Sequence, residues 1–196
     1  MLWFVAMTVT VPINAPVPLK LRIEDFELLD RGGAFEGYAK VELIDGVILA
    51  MNAEYSPHTL IKSELLFRLR LALQPLDTDY TAVVEPTLAL PPYSLPEPDV
   101  MVTKAPGGRE YFRAEHVAIV IEVADSSSAN DLGPKRRLYA GKGLREYWVL
   151  DLPGGRMHQF WTPEGDDYSE MRTVMLDGEL RSVTWPELAI DGRGLI

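Results

Sequence analysis

Glu122 sits inside an otherwise aliphatic run at 117–124, and Asp99 follows Pro98 at the head of a second run at 99–103. A carboxylate among aliphatic side chains is costly to bury unless a cation or a set of donors answers it. A bound divalent metal answers it most directly, because hard cations take oxygen ligands. Further along, Lys135 falls in a stretch that reads as the first turns of a helix. Two carboxylates on neighbouring strands with a lysine close by are the parts needed for metal-assisted phosphodiester hydrolysis. The carboxylates would hold magnesium (or manganese), and the lysine would orient the attacking water or help deprotonate it.

Such residues converge only if the surrounding elements bring them together. Apolar spacing over 23–30, closed by Gly32 and Gly33, predicts a short helix. The runs 40–44 and 47–51 flank Asp45 and Gly46, a pair that tolerates positive φ, and so predict a β-hairpin with Glu42 on its first strand. The turn itself accounts for Asp45. Ser56 and Pro57 open a helix over 57–73, with Ile61, Leu65, Leu66, Leu69 and Leu73 as its stripe and His58 on its first turn.

Beyond Pro75 the pattern changes to strand-like runs at 80–90, 99–103, 117–124, 146–150 and 156–161. Pro91, Pro92, Pro96 and Pro98 make a turn between the first two, since proline cannot donate to a central ladder. The tail adds a strand at 172–176, with Tyr168 and Trp185 as packing residues. The expected fold class is α/β (α+β), a mixed central β-sheet flanked by helices with an N-terminal β-hairpin. One domain at 21–196 follows an N-terminal extension at 1–20, in which Met7 is an alternative start.

The segments around Glu42, Asp45 and Gly46, then Ser56 to His58, Pro98 and Asp99, Glu122, the Asp131, Lys135 and Tyr139 series, and finally 146–151 follow an order and spacing that resembles the Uma-two family. That family is a branch of the PD-(D/E)xK restriction-endonuclease-like nucleases. The likeness runs from about Phe26 to Tyr168. It implies a restriction-endonuclease-like core, Glu42, Asp99 and Glu122 as acidic metal ligands, Lys135 as the catalytic lysine, and His58, Asp131 and Tyr139 in support. In the usual superfamily pattern the lysine stands two positions after the glutamate, where this chain has Ala124. Lys135, on the following helix, resembles the migrated lysine of this branch. At spacing four, Asp131, Lys135 and Tyr139 share one helical face, and an ordinary surface ion pair between Asp131 and Lys135 is the alternative.

Composition bounds the reading. With 196 residues and 47% hydrophobic content, one domain with a real core is expected. The absence of cysteine excludes disulfides, thiolate zinc sites and cysteine nucleophiles. No apolar run reaches membrane-spanning length, so a cytoplasmic protein with no membrane partner is expected. The net charge of −10 weighs against a nucleic-acid partner, although clustered acids at a metal site inflate it. Lys135, Arg136, Arg137, Lys142 and Arg145 lie close together, either as a basic face beside the site or as a solvated helix face.

Three function classes remain open: a magnesium-dependent DNA endonuclease, a nuclease-fold binding module with a vestigial site, and an acidic protein-interaction module. Cutting both strands of a duplex needs two sites, which points to a homodimer.

Overall fold

The computed structural model describes residues 16–51, 56–125 and 127–196. Residues 1–15, most of the expected extension, lie outside the described residues. The first helix, α1 (Ile23–Arg31), starts where the Asp25 carboxylate accepts the Arg22 N–H at 2.9 Å. Strands β1 (Lys40–Ile44) and β2 (Val47–Met51) pair as the expected hairpin. Its turn places Asp45 at φ 48° and Gly46 at φ 81°, so Asp45 does serve the backbone there. A Cβ on Gly46 would come 2.7 Å from Lys20 Cα, which is why only glycine fits. Lys20 also pairs with the Asp45 carboxylate at 2.6 Å, tying the chain before α1 to the hairpin.

Among the described residues the main sheet has six strands. In chain order they are β3 (Tyr80–Val84), β5 (Val100–Lys104), β7 (Val117–Ala124), β8 (Glu146–Asp151), β9 (Arg156–Glu164) and β10 (Asp167–Met175). Across the sheet the order is β10-β9-β8-β7-β5-β3. Only β7 and β8 run parallel, so the sheet is mixed. Short pairs β4 (Leu88–Ala89) with β6 (Phe112–Arg113), and β11 (Glu179–Arg181) with β12 (Ala189–Asp191), lie beside it. The expected single strand at 80–90 is broken. Glu85 adopts φ 48° and is followed by Pro86, which has no N–H to continue the ladder, and β4 resumes in a separate pair.

Alternation along β7 divides the core. Ile119, Ile121 and Val123 face helix α2 (Ser56–Leu73), joining Ile61, Leu65, Leu69, Val100, Val102, Trp148 and Leu150. Val120 and Ala124 face the other way, with Met101, Tyr139, Tyr147, Val149 and Phe160. Glu122 belongs to that second face by register. The connection from β7 to β8 covers it with a short helix α3 (Ser128–Asn130), a π-turn at Asp131–Lys135 and helix α4 (Arg136–Gly141). The sequence predicts one regular helix here. Pro134 sits inside the turn and cannot donate a backbone hydrogen bond, which opens the ladder from the tighter α form.

Tyr168 stacks at 6.4 Å from Tyr147, and Trp185 meets Tyr80 edge-on at 5.4 Å, as packing residues do. Among the described residues, no helix is long and apolar enough to cross a membrane.

Candidate active site

The hairpin, the strand pair β5–β7 and the α3–α4 connection meet at one cluster of charge. Glu42 is wholly buried on β1; its Oε1 accepts the Glu97 N–H at 2.9 Å, which ties the hairpin to the proline-rich segment leading into Asp99. Asp99 immediately precedes β5, and its Oδ2 accepts the Val123 N–H at 2.7 Å. This bond fixes the Asp99 carboxylate beside the strand that carries Glu122. Glu122 is 2% exposed and receives two donors on Oε1, the Lys135 ammonium at 3.0 Å and the Tyr139 hydroxyl at 2.8 Å. Lys135 Nζ also lies 3.4 Å from Glu42 Oε2, so one ammonium links the hairpin carboxylate to the sheet carboxylate.

The surface ion pair considered for Asp131 and Lys135 is absent among the described contacts, because both side chains turn inward and are buried. Asp131 instead accepts the Ser127 hydroxyl at 2.5 Å, while its carbonyl accepts the Tyr147 hydroxyl at 3.0 Å. The π-turn thus still delivers Asp131, Lys135 and Tyr139 to one region, as spacing four would in a regular helix. His58 Nε2 lies 2.5 Å from the Val123 carbonyl and 3.6 Å from Asp99 Oδ2, so it stands at the edge of the cluster. The surrounding basic residues do not form one face: Arg136 lies over Phe160 and pairs with Asp167 at 2.8 Å, Lys142 reaches the Pro91 carbonyl, and Arg137 and Arg145 are exposed.

Burial and mutual repulsion shape the protonation states. Burial, then the charge of Glu122, pushes Asp99 up to about 6. The same two causes push Asp131 up to about 7. Burial also raises Glu42, against the pull of Lys135. For Lys135, burial disfavours the charged form, but Glu122, Glu42 and Asp131 outweigh it and the net shift is upward. Lys135 is therefore an ammonium at neutral pH, suited to orienting water and stabilising negative charge rather than to removing a proton.

Among the buried charged residues to which the sequence reading gave no part are Lys62 and Glu146. Lys62, 2% exposed on α2, lies 3.5 Å from Asp99 Oδ1 and 2.7 Å from Glu85. Its signal was position: it stands four residues after His58 and three before Leu65, on the stripe that faces the core. Glu146, at the head of β8, is as buried as Glu42. Its oxygens accept from Trp148 Nε1, Ser182 Oγ, the Val183 and Thr184 N–H groups and Thr184 Oγ1, at 2.6 to 3.0 Å. Glu146 is thus a further carboxylate in an apolar strand run. Glu146 differs in being satisfied by neutral donors that bind the C-terminal loop to the sheet.

The remaining acids, Glu42, Asp99 and Glu122, carry oxygen donors of the kind a divalent cation takes. Among the described residues Glu42 Oε2 has no hydrogen-bond donor, although the Lys135 ammonium stands 3.4 Å away. Among the described residues, no three His, Asp or Glu side chains are already drawn into a cage, since ammonium groups face each of these carboxylates.

The Uma2 family model, described as "Putative restriction endonuclease", matches residues 23–191. The crystal structure of a protein from Anabaena variabilis, described as a putative nuclease belonging to DUF820, superposes with a TM-score of 0.62 at 19% identity. The match covers 79% of this chain and 88% of that one, and shows a shared fold. No curated protein matches the chain.

Proposed function

From the premise that the chain belongs to the Uma2 family, of nuclease-like fold, we propose that it is a DNA endonuclease dependent on magnesium or manganese. Asp99, Glu122 and Glu42 would hold the cation. When bound, such an ion acidifies water and offsets charge developing on the phosphoryl oxygens. The observation that carries the reading is the buried Lys135 ammonium, held at 3.0 Å from Glu122 although Ala124 occupies the usual lysine position.

In this reading Lys135 orients the attacking water and stabilises negative charge near the scissile phosphate. Tyr139 fixes the rotamer of Glu122 through its 2.8 Å bond. Asp99 is aimed by the Val123 N–H. The net charge of −10 favours a second reading, a nuclease fold retained as a binding or protein-interaction module. For cleavage of both strands, two copies would pair across the duplex.

Plasmid and single-stranded DNA, incubated with the protein in magnesium or manganese and in chelator, separate the readings. Metal-dependent cleavage that disappears in Lys135→Ala supports the endonuclease. Cleavage equal in the variant, or none from the wild type with either metal, overturns it.

A further inference from the structure

One face of α2 grips Asp99. His58 and Lys62 are four residues apart, so they share that face, and they reach different oxygens of the same carboxylate. His58 Nε2 lies 3.6 Å from Oδ2 and Lys62 Nζ 3.5 Å from Oδ1. Oδ2 is already committed to the Val123 N–H, which leaves Oδ1 as the oxygen better placed for a cation.

Lys62 is held more tightly by Glu85 than by Asp99, at 2.7 Å against 3.5 Å. Glu85 reaches it through an unusual backbone. Its φ of 48° lies in the left-handed region that non-glycine residues rarely adopt, and its N–H donates to the Asp99 carbonyl at 3.0 Å. The kink that ends β3 therefore brings a carboxylate to the ammonium that faces Asp99. Asp99, Lys62 and Glu85 close a small ring, partly through side chains and partly through that backbone bond.

We propose that Lys62 is a positioning residue serving as a built-in counter-ion for Asp99, in competition with a divalent cation, and that Glu85 sets the strength of this competition by holding the ammonium back. The proposal rests on the reading of Asp99 as a metal ligand. Two positive charges near one carboxylate oxygen repel each other strongly in a buried setting. Lys62 thus lowers cation affinity, and by linkage a bound cation weakens the hold of Lys62 on Asp99. Lys62 remains paired to Glu85, so a charged lysine need not be left without a carboxylate when the cation enters.

This arrangement predicts effects of opposite sign, which a purely structural pair would not produce. Calorimetric titration of Mn²⁺ into the full chain compares wild type, Lys62→Met, Lys62→Arg, Glu85→Gln and Asp99→Asn, with thermal melts in chelator to verify folding. Lys62→Met should bind Mn²⁺ on the order of tenfold more tightly, because a nearby positive charge is gone. Lys62→Arg should stay near wild type. Glu85→Gln should bind several-fold more weakly.

Unchanged or weaker binding by folded Lys62→Met, together with weakened Asp99→Asn, overturns the counter-ion role and leaves the metal site standing. Wild-type binding by Asp99→Asn overturns the metal reading beneath it. If Lys62→Met does not fold, Glu85→Gln decides, and affinity equal to wild type there overturns the proposal.

Discussion

Lys135 Nζ stands 3.0 Å from Glu122 Oε1, with both side chains buried. The ion pair joins the middle of β7 to the π-turn that follows it. The same ammonium reaches Glu42 on the hairpin at 3.4 Å, so one residue closes the cluster from three directions. A lysine so placed carries structural weight, and a surface helical lysine would not.

Lys135→Ala should therefore destabilise the metal-free protein by about 3 kcal/mol, because it leaves two buried carboxylates facing each other without their cation. Urea unfolding in chelator measures this. A loss near zero would mean that Lys135 is not held as tightly as its distances indicate. Lys135→Arg keeps the charge, and cleavage restored by arginine would assign the lysine an electrostatic part rather than proton transfer.

Metal binding should depend on Asp99. Titrating magnesium or manganese into Asp99→Asn is expected to give affinity at least tenfold below wild type, on the order of the loss of one charged ligand. Equal isotherms would remove Asp99 from the ligand set.

The raised carboxyls imply a pH dependence with a definite sign. Burial and the charge of Glu122 push the folded Asp99 carboxyl up to about 6, above the usual aspartate range. The folded state therefore binds its proton more tightly, and the stability so gained is complete below the unfolded value and lost as pH rises through about 6. Asp131, at about 7, extends the window upward. Metal-free wild type should be less stable at pH 8 than at pH 5 by an Asp99 contribution of about 1.4 kcal/mol. Asp99→Asn should reduce that difference by the Asp99 share, while the Asp131 share remains. A denaturation midpoint whose pH profile is identical in the two proteins would contradict the assignment.

Tyr139→Phe removes only the hydroxyl that donates to Glu122 at 2.8 Å. Stability should change by about 1 kcal/mol. Cleavage should fall roughly tenfold, since the carboxylate is no longer held in one rotamer. Full activity in the variant would show that Lys135 alone positions Glu122.

Glu146 provides the contrast. Glu146→Ala should cost about 3 kcal/mol by stranding several buried donors, while leaving the manganese isotherm of the folded protein unchanged. A shift in metal affinity would place Glu146 closer to the site chemistry than its bonds to the C-terminal loop indicate.

Much of this was legible in the sequence because it rests on local signals. The 45–46 turn, the α2 stripe and the aliphatic runs of β5, β7 and β8 follow from periodicity and turn chemistry, which depend on near neighbours in the chain. Glu122 announced itself because one charge in an aliphatic run needs a reason. The chain order also carried the family resemblance, including Ala124 where a lysine is customary.

The partners of those charges belong to tertiary structure. Lys62 and Glu85 are ordinary residues in sequence; they matter because α2 packs across the end of β5, and because the chain kinks at Glu85, bringing both to Asp99. Glu146 and Glu122 look alike in sequence, each a carboxylate in an apolar strand. Only the packing of distant segments gives one a set of neutral donors and the other a lysine and a tyrosine. Burial energy depends on what surrounds a charge in three dimensions, and the chain order does not encode that locally.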